Sequence, residues 1–269
     1  MMFSVLLSVY KSENPDYLDQ SLFSIWDEQT LKPSQVVLVQ DGLLPKELLS
    51  IVNKWADSLP DIFTVVSLTQ NIGLGAALNE GLKHCKYDLI ARMDTDDIAL
   101  PERFEKQVVF MEEHPEIAAS SAQLEEWDSS LTRYIGKRQL PLDSSSLASF
   151  AKRRSPLSHP LAIIRKNVLL SLGGYPPLRK AQDYALWSLM LAKGYKLGNI
   201  PDTLLKMRTG NELFKRRGWG YLKEELQLLK YQKEIGFLSM RDYFINVLLK
   251  AVLRLSPDFI KSLAYRIAR

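Results

Sequence analysis

The sequence predicts an α/β fold, in which helices flank a mostly parallel sheet and a C-terminal helical extension follows. Three observations support this prediction. Apolar, β-branched runs alternate with helical stretches, as in a series of βαβ units. The length and composition suit one large domain with an appendage. Polar residues directly follow four of the predicted strands, at the edge where open parallel sheets collect ligands: Tyr10, Asp41, Asn71 and Asp94.

The elements alternate regularly through the first part of the chain. The first strand, Phe3–Val9, has no basic segment before it and is too short for a signal sequence or a membrane span. The predicted series continues with helix 17–27, strand 35–39, helix 46–59, strand 63–67, helix 74–83, strand 88–93, helix 101–113 and strand 117–122. Pro101 suits the first helical position, so the helix cap should fall next to Leu100.

Composition narrows the class of protein. The chain has 269 residues, of which 46% are hydrophobic and 25% charged. We expect one domain at residues 1–210 and an extension at 211–269. Cys85 is the only cysteine, so no internal disulfide can form, and three histidines give no array of metal ligands. A reducing compartment, the cytoplasm, is therefore expected, with Cys85 serving in packing.

Three carboxylates lie within four residues directly after the apolar run Leu89-Ile90-Ala91: Asp94, Asp96 and Asp97. Carboxylates this close repel one another, and Mg²⁺ or Mn²⁺ removes that cost while leaving coordination positions for phosphate oxygens. The alternative is that these acids cap the next helix. The predicted cap lies several residues further on, so the cluster favours a metal–diphosphate site.

Glycines after the third strand do not form a nucleotide-binding fingerprint. In Gly73-Leu74-Gly75 the third glycine position is Leu78, and the segment belongs to the third βα unit. We expect these glycines to let the turn after Asn71 and the helix start pack closely, with a phosphate role as the alternative. No glycine-rich segment ends in Gly-Lys-Ser/Thr, so a P-loop is excluded.

The net charge of +4 lies in the C-terminal segment. Residues 241–269 contain six cations and two anions, whereas the preceding 240 residues contain 29 of each. Basic residues are scattered there among many apolar ones, as in interfacial helices, so the segment could rest on an anionic membrane surface. The alternative is a helical pair packed on the core with its basic side solvated. No nucleic-acid motif accompanies the charge, so no nucleic-acid partner is expected.

Six motifs occur in an order that resembles a known family. They are Ser8-Val9-Tyr10, Val39-Gln40-Asp41-Gly42, Asn71-Ile72-Gly73, Ala91-Arg92-Met93-Asp94-Thr95-Asp96-Asp97, Gly173-Gly174-Tyr175 and Gln182-Asp183-Tyr184-Ala185-Leu186-Trp187. This series is similar to the family 2 inverting glycosyltransferases of GT-A (Rossmann-like) fold, over about residues 3–208. The tail, from Arg216-Arg217-Gly218 to Tyr265-Arg266, resembles the bacterial branch that builds O-antigen and exopolysaccharide repeat units. The donor in that branch is usually a UDP-hexose.

The resemblance implies a donor site. Asp41 would accept a hydrogen bond from the uracil imide N–H, although a plain turn after the strand is the alternative for Asp41-Gly42. Asp94 would approach the ribose or a metal-bound water, Asp96 would ligate Mn²⁺ or Mg²⁺, and Asp97 would support that geometry. The residues assigned to the nucleotide sugar are Val9, Tyr10, Asp41, Asn71, Arg92, Asp94 and Arg208.

Further roles follow from the resemblance on the acceptor side. Asp183 would be the general base, with a plain helix cap as the alternative. Tyr175, Tyr184 and Trp187 would form the acceptor wall, or else belong to the core. His159 would lie near the donor sugar or the metal, although a lone histidine is more often structural.

Arg208 and the basic segment after it complete the set of candidates. Arg208 would pair with the diphosphate, because a guanidinium binds phosphate bidentately. Lys215, Arg216 and Arg217 could fold over the same group, or form a solvated basic loop.

The implied reaction transfers a hexose from a UDP-sugar to a hydroxyl of a lipid-diphosphate-linked sugar, forming a β-glycoside. A sugar-1-phosphate nucleotidyltransferase is disfavoured, because Tyr10-Lys11-Ser12-Glu13-Asn14 lacks the glycine- and arginine-rich signature expected after its first strand. An inactive nucleotide-sugar-binding protein remains an alternative. The identity of the hexose stays open, since epimers differ by a single hydroxyl.

Overall fold

The computed structural model describes residues 2–209 and 219–255. The strands in this part of the chain are β1 Phe3–Val9, β2 Gln35–Gln40, β3 Phe63–Ser67, β4 Leu89–Arg92, β5 Ile98–Ala99, β6 Ile117–Trp127, β7 Tyr134–Arg138, β8 Ile163–Arg165 and β9 Lys196–Arg208. The α-helices are α1 Pro15–Trp26, α2 Lys46–Ser58, α3 Leu74–Leu82, α4 Arg103–Glu113, α5 Ser144–Phe150, α6 Lys166–Ser171, α7 Gln182–Ala192, α8 Trp219–Glu234 and α9 Met240–Leu255, and a short 3₁₀ helix covers His159–Leu161.

The strands form one sheet in the order β3-β2-β1-β4-β8-β6-β9-β5, with β7 beside β6. Strands β1 to β4 are mutually parallel, and β6 is parallel to β9. Strand β8 is antiparallel to both of its neighbours, β4 and β6. The predicted α/β class is confirmed. Because β1, β2 and β4 run in the same direction, the residues that follow them meet at one edge of the sheet.

The strands and helices predicted up to residue 122 are all present. Helix α4 begins at Arg103, however, so the prediction that Pro101 is its first residue is wrong. The Pro101 carbonyl accepts a hydrogen bond from the Thr30 amide at 3.0 Å, and the Leu100 amide donates to the Leu204 carbonyl at 3.0 Å. These long-range bonds hold both residues outside the helix. Strand β6 is longer than predicted, because β9 and β7 pair with its second half.

Apolar residues are buried on both faces of the sheet. Along β2, Val36 and Leu38 belong to the cluster shared with α1, α2 and α4, whereas Val37 and Val39 belong to the cluster shared with α3, α6 and α7. This alternation follows from the two-residue period of a strand. Each large apolar side chain buried in this way stabilises the fold by about 1.5–3 kcal/mol. Cys85 lies in the second cluster, where burial raises its pKa to about 12.

The helices of the C-terminal extension contact the main body through polar bonds. Gln232 of α8 donates to the Ser188 hydroxyl of α7 at 2.7 Å. On α9, Asn246 donates to the Lys152 carbonyl at 2.9 Å and Asp242 pairs with Arg153 at 3.2 Å. This side of α9 fits the expectation of helices packed on the core.

The opposite side of α9 is apolar and exposed. Phe244 is 61% exposed and Leu248 65%. No helix within residues 2–209 and 219–255 combines the length and apolar character needed to cross a membrane. The predicted roles of Lys215, Arg216 and Arg217, and of the tail beyond residue 255, lie outside the described residues.

Candidate active site

A cleft of about 590 Å³ opens where β1, β2 and β4 end. The residues that line it are Ser8, Tyr10, Lys11, Glu13, Asp41, Asn71, Gly73, Leu74, Asp94, Thr95, Asp96 and Arg179. The structure thus brings together the four residues predicted to follow strands. Val9, predicted to hold the nucleoside, is fully buried behind this surface and does not line the cleft.

Asp41 holds the loop between β3 and α3. Its Oδ1 accepts from the Ile72 amide at 2.7 Å, and its Oδ2 accepts from the Asn71 side-chain amide at 2.9 Å and the Gly73 amide at 3.1 Å. Gly42 follows with a φ of +90°, and a Cβ there would lie 2.7 Å from the Asn71 nitrogen. Only glycine fits that close approach. A nucleobase that contacts Asp41 must use the lone pairs that these three donors leave.

The glycines at the start of α3 serve the turn and the packing. Gly73 donates to Asp41 and has a φ of +88°. A Cβ on Gly75 would lie 3.1 Å from Cγ of Gln182. The expected close packing is therefore confirmed, and it joins the N-terminal part of α3 to the start of α7.

The predicted acidic cluster forms at the end of β4. Asp94, Asp96 and Asp97 each place a carboxylate oxygen within 4.8 Å of the others. Burial, with Asp94 as the next largest cause, raises the pKa of Asp96 to about 6. Burial, followed by the charges of Asp94 and Asp96, raises the pKa of Asp97 well above its ordinary value. The fold therefore concentrates negative charge at a place where solvent does little to stabilise it.

Asp97 provides the test of whether a metal fits. Its side chain is buried, and Oδ1 accepts the Arg208 amide at 2.9 Å. Oδ2 is buried without a hydrogen-bond partner in the described parts of the chain. An orphaned buried carboxylate oxygen is costly, and an all-oxygen donor set is the one that Mg²⁺ and Mn²⁺ prefer. The residues present fit such an ion, and the free oxygen of Asp97 is available to it.

Two buried arginines lie beneath the cluster. Arg92 pairs with Asp94, and it is 1% exposed. The prediction that Arg92 contacts the donor is corrected, because Arg92 does not line the cleft. Arg103 is completely buried and donates to the carbonyls of Arg92 and Pro160. Arg103 therefore fastens the end of β4 to the 3₁₀ helix, which holds the carboxylates from below.

Arg208 lies beside the cluster, at the end of β9. Its guanidinium donates to the Asp96 carbonyl and to the Gln20 side chain, and it stacks 4.2 Å from the ring centre of Tyr17. The resemblance placed Arg208 near the diphosphate, and the structure does place it against a residue of the acidic cluster. Its guanidinium already has protein partners, so in this arrangement it acts first to shape the loop that carries Asp96.

Glu13 belongs to the site but was not expected from the sequence. It follows β1 and lines the cleft with Asp94 and Asp96. Burial raises its pKa to about 7, with Asp96 and Asp94 adding to the rise and Arg92 opposing it. The signal that could have found Glu13 is its position in the loop directly after a parallel strand, the same signal that pointed to Tyr10.

His159, predicted to lie near the metal or donor sugar as a possible ligand, is not part of the acidic cluster of Asp94, Asp96 and Asp97, so the prediction that it binds the metal is corrected. Its Nε2 lies 3.0 Å from the hydroxyl of Tyr175, and the side chain is buried. Burial, and then the Arg92 charge, lower the pKa of His159 well below its ordinary value. A neutral imidazole bonded to tyrosine is the structural role that a lone histidine usually has.

The predicted acceptor wall is also corrected. Trp187 is completely buried and Tyr175 is 4% exposed, both in the cluster between the sheet and α7. The Tyr184 hydroxyl donates to the Ala151 carbonyl at 2.6 Å. None of these three aromatic residues lines the cleft. The structure therefore favours the core alternative for Trp187 and Tyr175, while Tyr184 is half-buried and bonded to the backbone of Ala151.

Asp183 lies in the first turn of α7, one residue after the helix begins, and it is not among the residues that line the cleft. The N-cap is Ala181, with a φ of +55° and no side-chain cap bond, so the capping alternative is wrong for Asp183. Burial raises the pKa of Asp183, whereas the Tyr184 amide and Arg92 oppose the rise. A carboxylate with a raised pKa is a better general base than an ordinary one.

Comparison with known proteins decides the family. The sequence model of the family "Glycosyl transferase family 2" matches residues 4–171. The chain belongs to glycosyltransferase family 2. It is 40% identical over 268 residues to the amylovoran biosynthesis glycosyltransferase AmsE of Erwinia amylovora, which covers 98% of both chains. It is 33% identical over 270 residues to the UDP-Gal:alpha-D-GlcNAc-diphosphoundecaprenol beta-1,3-galactosyltransferase of Escherichia coli, covering 98% of this chain and 95% of the relative.

Solved structures confirm the GT-A fold of this family 2 member. The mannosyltransferase PcManGT from Pyrobaculum calidifontis, in complex with GDP-Man and Mn²⁺, aligns with a TM-score of 0.66 at 18% identity, covering 100% of this chain and 80% of that one. S. aureus TarS 1-349 in complex with UDP aligns with a TM-score of 0.63 at 20% identity, covering 92% and 70%. The family and the fold expected from the motifs are both confirmed.

One feature of this family 2 chain links α3 to the loop before α7. The Asn79 side chain donates to the Tyr175 carbonyl at 3.0 Å and accepts from the Tyr175 amide at 2.7 Å. Gly174 has a φ of +84°, and a Cβ there would lie 2.3 Å from the Asn79 Oδ1. This two-point contact, the Asn79 clamp, fixes the start of the loop that carries Arg179 to the cleft.

Proposed function

We propose that the protein is an inverting, metal-dependent glycosyltransferase. It transfers a hexose from a UDP-sugar to a hydroxyl of a sugar linked to undecaprenyl diphosphate, and the product is a β-glycoside in O-antigen or exopolysaccharide assembly. The observation that carries the proposal is the acidic cluster with its orphaned Asp97 oxygen, in the cleft where Tyr10, Asp41 and Asn71 also lie.

The relatives support the donor and acceptor classes. The Escherichia coli relative is named for a UDP-galactose donor, a diphosphoundecaprenol-linked GlcNAc acceptor and a β-linkage, and that protein aligns with nearly all of this chain. AmsE is a glycosyltransferase of amylovoran biosynthesis. Among the neighbours of the same fold are complexes with UDP, with UDP-GlcNAc, and with GDP-Man and Mn²⁺.

Asp183 and the acidic cluster have separate roles in the proposed reaction. Asp183 accepts the proton of the attacking hydroxyl, for which its raised pKa suits it. Asp94, Asp96 and Asp97 would hold Mn²⁺ or Mg²⁺, which neutralises the departing diphosphate when it is bound. A single displacement at the anomeric carbon of an α-linked donor inverts its configuration, and this accounts for the β-product.

The proposal places the protein in the cytoplasm, at the inner face of the membrane. A lipid-linked acceptor must be reached at that surface. The exposed apolar side of α9, with Phe244 and Leu248, lies opposite the residues that bind α9 to the body. The excess of basic residues in 241–269 suits an anionic surface.

The test is release of UDP from a panel of UDP-hexoses with Mn²⁺ and a synthetic lipid-diphosphate GlcNAc or GalNAc acceptor. Wild type, Asp96→Ala and Asp183→Asn are compared. Acceptor-dependent release that both variants lose supports the proposal and names the donor. Metal-dependent UDP binding without release on any acceptor would favour a nucleotide-sugar-binding protein, and no UDP binding at all would contradict the donor site.

A further inference from the structure

The cleft is strongly acidic for a site that must hold diphosphates. Four carboxylates line it, from Glu13, Asp41, Asp94 and Asp96, against the cations Lys11 and Arg179. The proposed donor and the proposed acceptor each bring an anionic diphosphate into this surrounding. One divalent ion offsets only part of that charge, so a cation of the protein is needed near the phosphates.

Arg179 is available for this role. It is exposed, it lines the cleft, and its guanidinium has no ion pair or hydrogen bond to any residue that the structure describes. Arg208, by contrast, already donates to Asp96 and Gln20. An arginine without protein partners beside four carboxylates keeps its five N–H donors for an incoming anion.

The backbone around Arg179 fixes where the side chain can reach. The Asn79 clamp holds Tyr175, four residues before Arg179. Ala181 then takes a left-handed conformation, with φ +55°, and α7 begins directly after it with Gln182 and the proposed base Asp183. Arg179 is thus carried on a segment anchored at both ends, and it lines the same cleft as Asp94 and Asp96.

We propose that Arg179 binds a substrate diphosphate in this cleft, and the inference rests on the proposed function. A guanidinium pairs with two phosphate oxygens at once, which fixes orientation as well as contributing charge. The diphosphate can belong to the UDP-sugar or to the lipid-linked acceptor. Both present the same chemistry to Arg179, so the experiment is designed to tell them apart.

The experiment compares wild type with Arg179→Ala, Arg179→Lys and the control Lys193→Ala. Lys193 is an exposed cation at the other end of α7, away from the cleft. For each protein we would measure the dissociation constants of UDP with Mn²⁺ and of a short-chain lipid-diphosphate sugar, together with both KM values. Loss of a charge-assisted hydrogen bond corresponds to a weakening of about tenfold or more.

Each outcome decides a point. A weakening in Arg179→Ala confined to the lipid-diphosphate sugar supports binding of the acceptor's diphosphate, and one confined to UDP supports the donor's. Arg179→Lys should recover part of the loss, since it keeps the charge but not the bidentate geometry. Values for Arg179→Ala equal to those of Lys193→Ala would overturn the inference while leaving the proposed function standing. Wild type that binds neither compound would overturn both.

Discussion

The backbone amide of Arg208 donates to Oδ1 of Asp97 at 2.9 Å, although 111 residues separate the two in the chain. This bond joins the end of β9 to the loop after β4. It also leaves Oδ2 of Asp97 as the free, buried oxygen of the acidic cluster. The same carboxylate therefore has a structural oxygen and an oxygen available to a cation, and the two functions can be separated by substitution.

Asp97→Asn should fold and bind Mn²⁺ about tenfold more weakly or worse. The amide oxygen of Asn can still accept the Arg208 amide, but the negative charge is lost. Asp96→Ala should weaken Mn²⁺ binding as well. Titration calorimetry with Mn²⁺ gives the affinities, and Asp202→Asn, which changes a carboxylate paired with Lys106 away from the cleft, is the matched control. An Asp97→Asn variant with wild-type affinity would remove Asp97 from the metal site.

His159→Gln should differ from Asp96→Ala in the Mn²⁺ titration. Because Nε2 of His159 is bonded to Tyr175, the variant should keep wild-type affinity for Mn²⁺ while losing some stability. Breaking a buried hydrogen bond of this kind costs about 1–3 kcal/mol, which urea unfolding can measure. A loss of Mn²⁺ affinity as large as that of Asp96→Ala would restore the histidine as a ligand.

Without metal, the stability contributed by Asp96 and Glu13 should be lost as the pH rises from about 4 to 7, whereas His159, whose pKa is lowered, contributes in the opposite direction. The pKa values of Asp96 and Glu13 are raised in the folded protein, to about 6 and about 7. Groups with raised folded pKa values bind protons more tightly in the folded state. Their contribution is therefore complete below the unfolded pKa and is lost as the pH passes the folded value.

Calorimetric scans with and without Mn²⁺ across that range test this expectation. The fall in Tm should be smaller with Mn²⁺, because the ion replaces the protons as the partner of the carboxylates. It should also be smaller in Asp97→Asn, which removes one repelling charge. Because His159 contributes equally with and without the ion, the difference in Tm between the two conditions is the quantity compared, and a difference that does not grow with pH would contradict the direction argued here.

Asn79→Ala should reduce kcat more strongly than it reduces Mn²⁺ affinity. The variant loses both hydrogen bonds of the Asn79 clamp, at a cost of about 1–3 kcal/mol, and frees the loop that leads to Arg179 and Asp183. The acidic cluster has other supports and should persist. Kinetics and urea unfolding of Asn79→Ala are compared with Asn53→Ala, an exposed asparagine on α2. Equal effects of the two substitutions would mean that the clamp has no positioning role.

Particular residues show which parts of the site sequence reasoning could find. Tyr10, Asp41, Asn71 and Asp94 were predictable because each lies in the loop that follows a parallel strand, and strand direction alone brings such loops to one edge. Glu13 follows β1 in the same way and stands as far from the end of its strand as Asn71 does from the end of β3. Its approach to Asp94 and Asp96 depends on how the loop folds, which no local pattern encodes.

The aromatic residues and the arginines mark the limit of prediction. The sequence around Trp187 does not distinguish a core tryptophan from one that binds the acceptor. Only the packing around α7 shows that Trp187 is in the core. The sequence likewise does not show which of Arg92 and Arg179 is buried and which faces the cleft. One is buried under Asp94, and the other faces the cleft because a loop with two positive-φ glycines and a left-handed alanine carries it there.

Phe244→Ser combined with Leu248→Ser should reduce binding to vesicles that contain anionic lipid, by about tenfold or more. These residues stand four apart on the exposed side of α9, so both lie on the same face. The polar bonds of Asn246 and Asp242 to the body are untouched, so α9 should remain packed. This separation makes the double variant a sharper test than deleting the segment, which would also remove the packed side.

Leu170→Ser is the control, since Leu170 is 52% exposed on α6 and should not affect the vesicle assay. Co-sedimentation with neutral vesicles shows how much of the binding depends on the basic residues of 241–269 rather than on the apolar side. If the membrane serves to present the acceptor, the double variant should lose turnover on a long-chain lipid acceptor and keep it on a short-chain soluble one. Vesicle binding equal to that of Leu170→Ser would mean that this side of α9 does not contact the membrane.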